Sequence, residues 1–161
     1  MSFLEWLQDS PVGDWVRSSD YGYYVMLSGH AIGMGVVTGI VLMLGLRTLG
    51  FAKDQPLLIF ERLFTIAWWG FTLNFITGMA LFSANGPNLV KNIPFISKLS
   101  FIAVGGVMVW LLWRQLMEER LVVIDANGPA STKAKALAVA TLVCWVVAIM
   151  FGRIIGYTID Y

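Results

Sequence analysis

The chain has 161 residues, of which 58% are hydrophobic and 13% charged, with a mean hydropathy of +0.73. A soluble domain carries about a quarter charged residues, so a water-soluble globular protein is excluded. The net charge of +1 and the lack of any basic run remove an electrostatic case for nucleic acid, and the single cysteine, Cys144, removes an internal disulfide. What remains is a small integral membrane protein.

Residues 1–20 lack the basic start, apolar centre and small-residue cleavage site of a signal peptide, and are expected to be retained. Phe3, Leu4, Trp6, Leu7, Val12, Trp15 and Val16 alternate with acids and serines, the pattern of an amphipathic interfacial segment with tryptophans at headgroup level. Ser10-Pro11 has the order of an N-cap followed by proline at the first helical position. Ser19 or Asp20 is placed to cap the first span.

Tyr21 to Leu46 is a charge-free run of 26 residues holding the only histidine, His30. At about 1.5 Å per residue it crosses a hydrocarbon core of about 30 Å. Helical spacing puts Tyr23, Met26, Gly33, Met34, Val37 and Val41 on the histidine's face. After a short loop with Lys53, Asp54 and Pro56, a second span is expected over about 60–83, ended by the turn signal Asn85-Gly86-Pro87-Asn88. It carries Asn74 between Gly70 and Gly78, a stripe suited to an interhelical hydrogen bond. A third span is expected over about 97–117, with Gly105-Gly106 inside it. A charged segment with the turn signal Asn127-Gly128-Pro129 leads to a fourth over about 134–157. The expected fold class is therefore all-α, a four-span up-and-down membrane bundle forming one domain, preceded by an amphipathic interfacial helix.

Seven lysines and arginines (Arg47, Lys53, Arg62, Arg114, Arg120, Lys133, Lys135) fall on one side of such a bundle and four (Arg17, Lys91, Lys98, Arg153) on the other. The positive-inside rule makes the first side cytoplasmic, which puts both termini in the periplasm of a bacterial inner membrane. His30 then lies about nine residues in from the outer face, at a depth matched by Asn74, Val107 and Ala148. Met108 and Met150 fall near that level, Gly105 and Gly106 with them, and Lys98 and Arg153 slightly shallower.

Ionisable residues at membrane depth mark functional sites by default, and three readings fit this set. One is a haem b or a quinone, with His30 as ligand or hydrogen-bond donor. Gly33, Gly105 and Gly106 would then permit close approach, Asn74 would lie beside the group, Lys98 and Arg153 would serve as cationic partners, and the sixth ligand of a haem would be Met108, Met150, none, or His30 of a second copy. The second is Cu(I) held by Met26, His30 and Met34 at one-turn spacing. In the third no cofactor is bound, His30 packs with a hydrogen-bond partner such as Ser28, Thr38 or Asn74, and the methionines fill core. No serine, cysteine or paired-carboxylate arrangement suggests hydrolysis, so the chain is not expected to be an enzyme on its own.

The glycine-rich first span closed by Gly45-Leu46-Arg47-Thr48-Leu49-Gly50 is followed by Trp69-Gly70-Phe71 and Thr77-Gly78-Met79-Ala80-Leu81-Phe82. Next come Lys91-Asn92 with Phe95 and Lys98, and then Gly152-Arg153-Ile154-Ile155-Gly156-Tyr157. In order and spacing this resembles a family of bacterial four-span inner-membrane proteins of unknown function, itself distantly similar to copper-resistance D proteins and b-type cytochrome bundles. The resemblance covers nearly the whole chain and implies the fold and the membrane location; it suggests haem or copper. The lack of further histidines departs from di-haem bundles and takes electron transfer through two haems out of reach. The functional expectation is a membrane subunit of an oxidoreductase. It would hold a redox cofactor or quinone near its outer face and work with a membrane or periplasmic partner or a second copy of itself. The alternative is a structural subunit of a larger membrane complex.

Overall fold

The structure, a computed structural model, describes residues 3–51, 55–122 and 130–158. Six helices follow one another: α1 (Phe3–Gln8), α2 (Pro11–Ser18), α3 (Gly22–Leu49), α4 (Leu58–Leu89), α5 (Ile93–Val122) and α6 (Thr132–Thr158). The last four are long and apolar enough to cross a membrane, and the all-α, multi-pass expectation holds. Lys53, Asp54 and the turn signal Asn127-Gly128-Pro129 lie outside the described residues.

Local chemistry sets the ends of these helices. Ser10 Oγ accepts from the Gly13 N–H with Pro11 at the first helical position. Ser19 ends α2 and its Oγ accepts from the Gly22 N–H, while the residue at the N-cap of α3 is Tyr21, which makes no side-chain cap bond. Gly50, at φ +103°, takes the left-handed conformation that ends α3, and the Phe51 N–H reaches back to the Leu46 carbonyl. Asn92 Oδ1 accepts from the Phe95 N–H at the start of α5, and Ser131 Oγ from the Ala134 N–H at the start of α6.

The second span departs from its expected boundary. Asn85-Gly86-Pro87 does not end α4; the helix kinks at Asn85 (φ −145°, ψ 33°) and runs on to Leu89. Pro87 has no N–H for the Ser83 carbonyl and its ring crowds that carbonyl, which bends a helix without stopping it. Helix α2 packs on this bend. A Cβ on Gly13 would come within 3.0 Å of the Ser83 carbonyl oxygen, so only glycine lets α2 approach so closely. The fully buried Val16 anchors α2, while Phe3, Trp6, Val12 and Trp15 stay exposed, the apolar surface that an interfacial segment turns toward lipid.

Two close helix pairs make the bundle, α3 on α4 and α5 on α6, and they meet chiefly along α3 and α6. In the first pair a Cβ on Gly33 would lie 2.6 Å from the Gly70 carbonyl oxygen, the small-residue contact that brings membrane helices together. Helices α4 and α5 keep their backbones apart. Ring contacts bridge them near each end, Phe82 with Phe95 (centroids 5.8 Å apart) and Phe64 with Trp113 (4.9 Å). At the end where α3 finishes and α4 begins, Leu44, Leu57, Phe60, Leu112, Leu116, Ala134 and Ala138 form an apolar core. The other half of the bundle is built differently.

Candidate polar site

In the half where α3 and α5 begin and α4 and α6 finish, His30, Asn74 and Lys98 converge from three helices. His30 Nδ1 lies 2.9 Å from the Asn74 backbone carbonyl, and Asn74 Nδ2 donates to the His30 backbone carbonyl at 2.8 Å. A carbonyl only accepts, so Nδ1 carries the imidazole proton and donates it. Nε2 keeps its lone pair and faces the Lys98 ammonium at 3.4 Å. Thr77 Oγ1 lies 3.5 Å from Nδ1 while donating to the Leu73 carbonyl.

Two glycines make room for this arrangement. A Cβ on Gly78 would meet His30 Cε1 at 3.0 Å, and one on Gly152 would meet Lys98 Cε at 3.5 Å. The ring therefore lies over α4 at Gly78, and the lysine stem passes α6 at Gly152 to bring its charge inward. Among the described residues no carboxylate pairs with Lys98; the ion pairs found are Arg17 with Asp9 and Asp14, and Arg114 with Glu118. A half-buried ammonium at membrane depth thus has an imidazole for company and, among the described residues, no anion.

Beside Lys98 lies a void of about 20 Å³ to which all four long helices contribute, lined by residues that include Met34, Phe71, Asn74, Lys98, Trp145 and Ala148. The Trp145 indole Nε1 is buried without a hydrogen-bond partner.

The sequence-expected residues divide. His30, Asn74 and Lys98 come together, and Met34 lines the adjoining void. Met26 is half-buried on the histidine's helix. Gly33 serves the α3–α4 contact, and Gly105 the α5–α6 contact, where a Cβ would lie 3.1 Å from Trp145 Nε1; Gly106 faces open space. Met108 is half-buried ten residues beyond Lys98 on α5, about 15 Å along the axis. Met150 is 58% exposed, and Arg153 is exposed and outside the void's lining. The expectation that these last residues surround one cofactor with His30 finds no counterpart in the packing.

Sequence reasoning assigned no site role to Gly78, Gly152, Thr77 or Trp145. Trp145 carried a signal: tryptophans of membrane helices collect at the two interfaces, and this one is the middle residue of α6.

Each expected cofactor meets this geometry differently. A haem iron would need the Nε2 lone pair that Lys98 faces, and a void of about 20 Å³ is far below the several hundred Å³ of ligand pockets. Haem does not fit between the helices as they pack. Cu(I) would be a cation brought beside an ammonium, which Coulomb repulsion opposes in a low dielectric. A neutral ligand offering an electron-rich oxygen has no such conflict with the donor set. No protein-family model, curated protein or solved structure matches this chain.

Proposed function

We propose that the protein is a small membrane subunit that binds a lipid-soluble quinone through Lys98, and that it passes electrons with a membrane or periplasmic partner. The observation that carries this reading is the Lys98–His30 pair, 3.4 Å apart at membrane depth with no carboxylate against the lysine among the described residues. An ammonium has three N–H groups. One is aimed at His30 Nε2, which leaves two for an electron-rich oxygen that lipid can deliver. A quinone supplies such a carbonyl oxygen on an apolar body, together with its own redox chemistry. The chain's residues would hold that oxygen: Lys98 by charge and hydrogen bond, His30 by fixing where the ammonium points. The ring is too large for the central void, so it would have to reach Lys98 from lipid, along the seam where α4 and α5 keep their backbones apart.

The test is the quinone content of the protein purified in mild detergent. Wild type should carry extractable quinone, and Lys98→Met should carry at least tenfold less. Equal contents, or a b-type haem spectrum in the wild type, would overturn the reading.

A second reading has its own observation. The reciprocal His30–Asn74 hydrogen bonds tie α3 to α4, and a subunit that only braces a larger membrane complex needs nothing more. On that reading neither protein carries quinone.

The orientation proposed with this function rests on the seven-to-four charge asymmetry, with the polar half toward the periplasm of a bacterial inner membrane. A reporter active only in the periplasm should work when fused after Tyr161 and stay silent when fused at Asn127; the reverse pattern would invert the site.

A further inference from the structure

We propose that α5 and α6 form a binding groove for one phospholipid with a phosphoethanolamine headgroup, in the leaflet where α5 ends and α6 begins. The groove has a volume of about 310 Å³ and is lined by Leu111, Arg114, Gln115, Glu118, Lys133 and Leu137. The α5 residues recur at i, i+3, i+4 and i+7 and the α6 residues at i and i+4, so each helix contributes one continuous stripe. Their neighbours Leu112, Leu116, Ala134 and Ala138 turn into the apolar core. Arg114, Glu118 and Lys133 are exposed, so the groove opens on the surface beside that core.

Depth orders the lining by polarity. Near the end of α5, Glu119 accepts from the Ser131 N–H and hydroxyl just before α6, which fixes the register of the two antiparallel helices. Counted from that contact, Lys133 falls between the levels of Arg114 and Glu118, and Leu137 between those of Leu111 and Arg114. Arg114 lies about 6 Å inside Glu118, and Leu111 about 5 Å deeper again. From water inward the groove thus presents a carboxylate, then two cations, then two leucines. A phosphoethanolamine lipid has the complementary order: ammonium outermost, phosphate beneath it, acyl chains below. Trp110, 58% exposed and 6.0 Å from the Arg114 guanidinium, has the character of the tryptophans that settle at the membrane interface.

The polar atoms needed for such a headgroup are available. Arg114 Nε donates to Glu118 Oε1 at 2.8 Å, which uses one atom of each. Among the described residues the terminal guanidinium nitrogens, Glu118 Oε2 and Lys133 Nζ have no hydrogen-bond partner. An exposed ion pair holds its members weakly, so both can turn to a ligand. Basic pockets between membrane helices bind lipid phosphates, and here the guanidinium fork and the lysine supply that charge. Glu118 decides which lipid fits. Phosphatidylglycerol brings a phosphate but no cation for the carboxylate, and phosphatidylcholine brings a cation with no N–H to donate. Free phosphate would leave both Glu118 and the leucines unanswered. This inference is independent of the quinone reading.

The experiment uses the full chain in mild detergent and native mass spectrometry, with phosphatidylethanolamine, phosphatidylglycerol or phosphatidylcholine of identical acyl chains added in turn. The wild type should bind its first ethanolamine lipid roughly tenfold more tightly than either of the others, the gain of a charge-assisted hydrogen bond. Glu118→Gln keeps the shape and removes the charge, so the preference for ethanolamine over choline should vanish. Arg114→Gln should weaken all three lipids. Both changes fall on exposed side chains, so helical circular dichroism should stay unchanged, and the wild-type selectivity tests the proposal without any variant. Equal affinities, a preference for phosphatidylglycerol, or a selectivity that survives Glu118→Gln would each overturn the assignment. So would displacement of the bound lipid by excess inorganic phosphate, since that would make the groove a site for a free anion.

Discussion

The two halves of this bundle are held together by different physics. At one end Leu44, Phe60, Leu112, Leu116, Ala134 and Ala138 pack with almost no exposed surface. At the other, the same four helices enclose an imidazole, an ammonium, a carboxamide and a void. Lipid tails are as apolar as leucine, so the first half gains its stability from close packing, not from escape from water. The second half gives up some packing to keep polar groups at a depth where they are costly. A bundle needs only the first arrangement to assemble. The second is what a site needs.

The largest expected effect sharpens this contrast. Leu112 is fully buried in the apolar half, and Leu112→Ala should lower unfolding stability in mixed micelles by about 2–5 kcal/mol, the range for deleting a packed side chain that neighbours cannot replace. Lys98→Met, in the polar half, exchanges an ammonium that has no counter-ion among the described residues for an apolar chain of similar length. Stability should hold or rise, since removing a half-buried charge with no opposite partner among the described residues relieves its desolvation. If Lys98→Met costs as much as Leu112→Ala, the polar half is a structural core like the other and the functional contrast collapses.

Much of this contrast was legible in the sequence, and the rest had physical reasons to hide. The charge-free run around His30 gave the span, and comparing depths between helices pointed to Asn74 as the histidine's neighbour. The reach of Lys98 was harder to see. Its backbone sits nearer the membrane surface than the site, and only a stem passing Gly152 brings the ammonium down to His30. Asn85-Gly86-Pro87 has the composition of a turn in water. Within α4 it gives a kink, because an interrupted helix still satisfies most of its backbone groups. Gly105 and Gly106 looked equivalent, and only the position of Trp145 decides that one is a packing contact and the other faces outward. The methionines near the depth of His30 fell to either side of the packing for the same reason: depth comes from counting residues, while the direction of a helix face depends on its neighbours.

The smallest expected effect concerns His30 itself. His30→Ala removes the Nδ1–H donor to the Asn74 carbonyl and the acceptor facing Lys98. It leaves intact the return bond from Asn74 Nδ2, which ends on the residue-30 backbone. Only part of the tie between α3 and α4 is lost, so the stability cost should be on the order of 1 kcal/mol, the size measured for hydrogen bonds between membrane helices. His30→Gln can keep both roles, since its amide N–H can donate toward Asn74 and its oxygen can accept from Lys98. It should be nearly neutral in the same unfolding assay. Quinone content then separates the roles that stability cannot. If His30 acts by aiming the Lys98 ammonium, quinone should fall in His30→Ala and persist in His30→Gln. Loss of quinone from a stable His30→Gln would mean that the imidazole touches the ligand directly, and the polar half would then hold two ligand contacts where the present geometry supplies one.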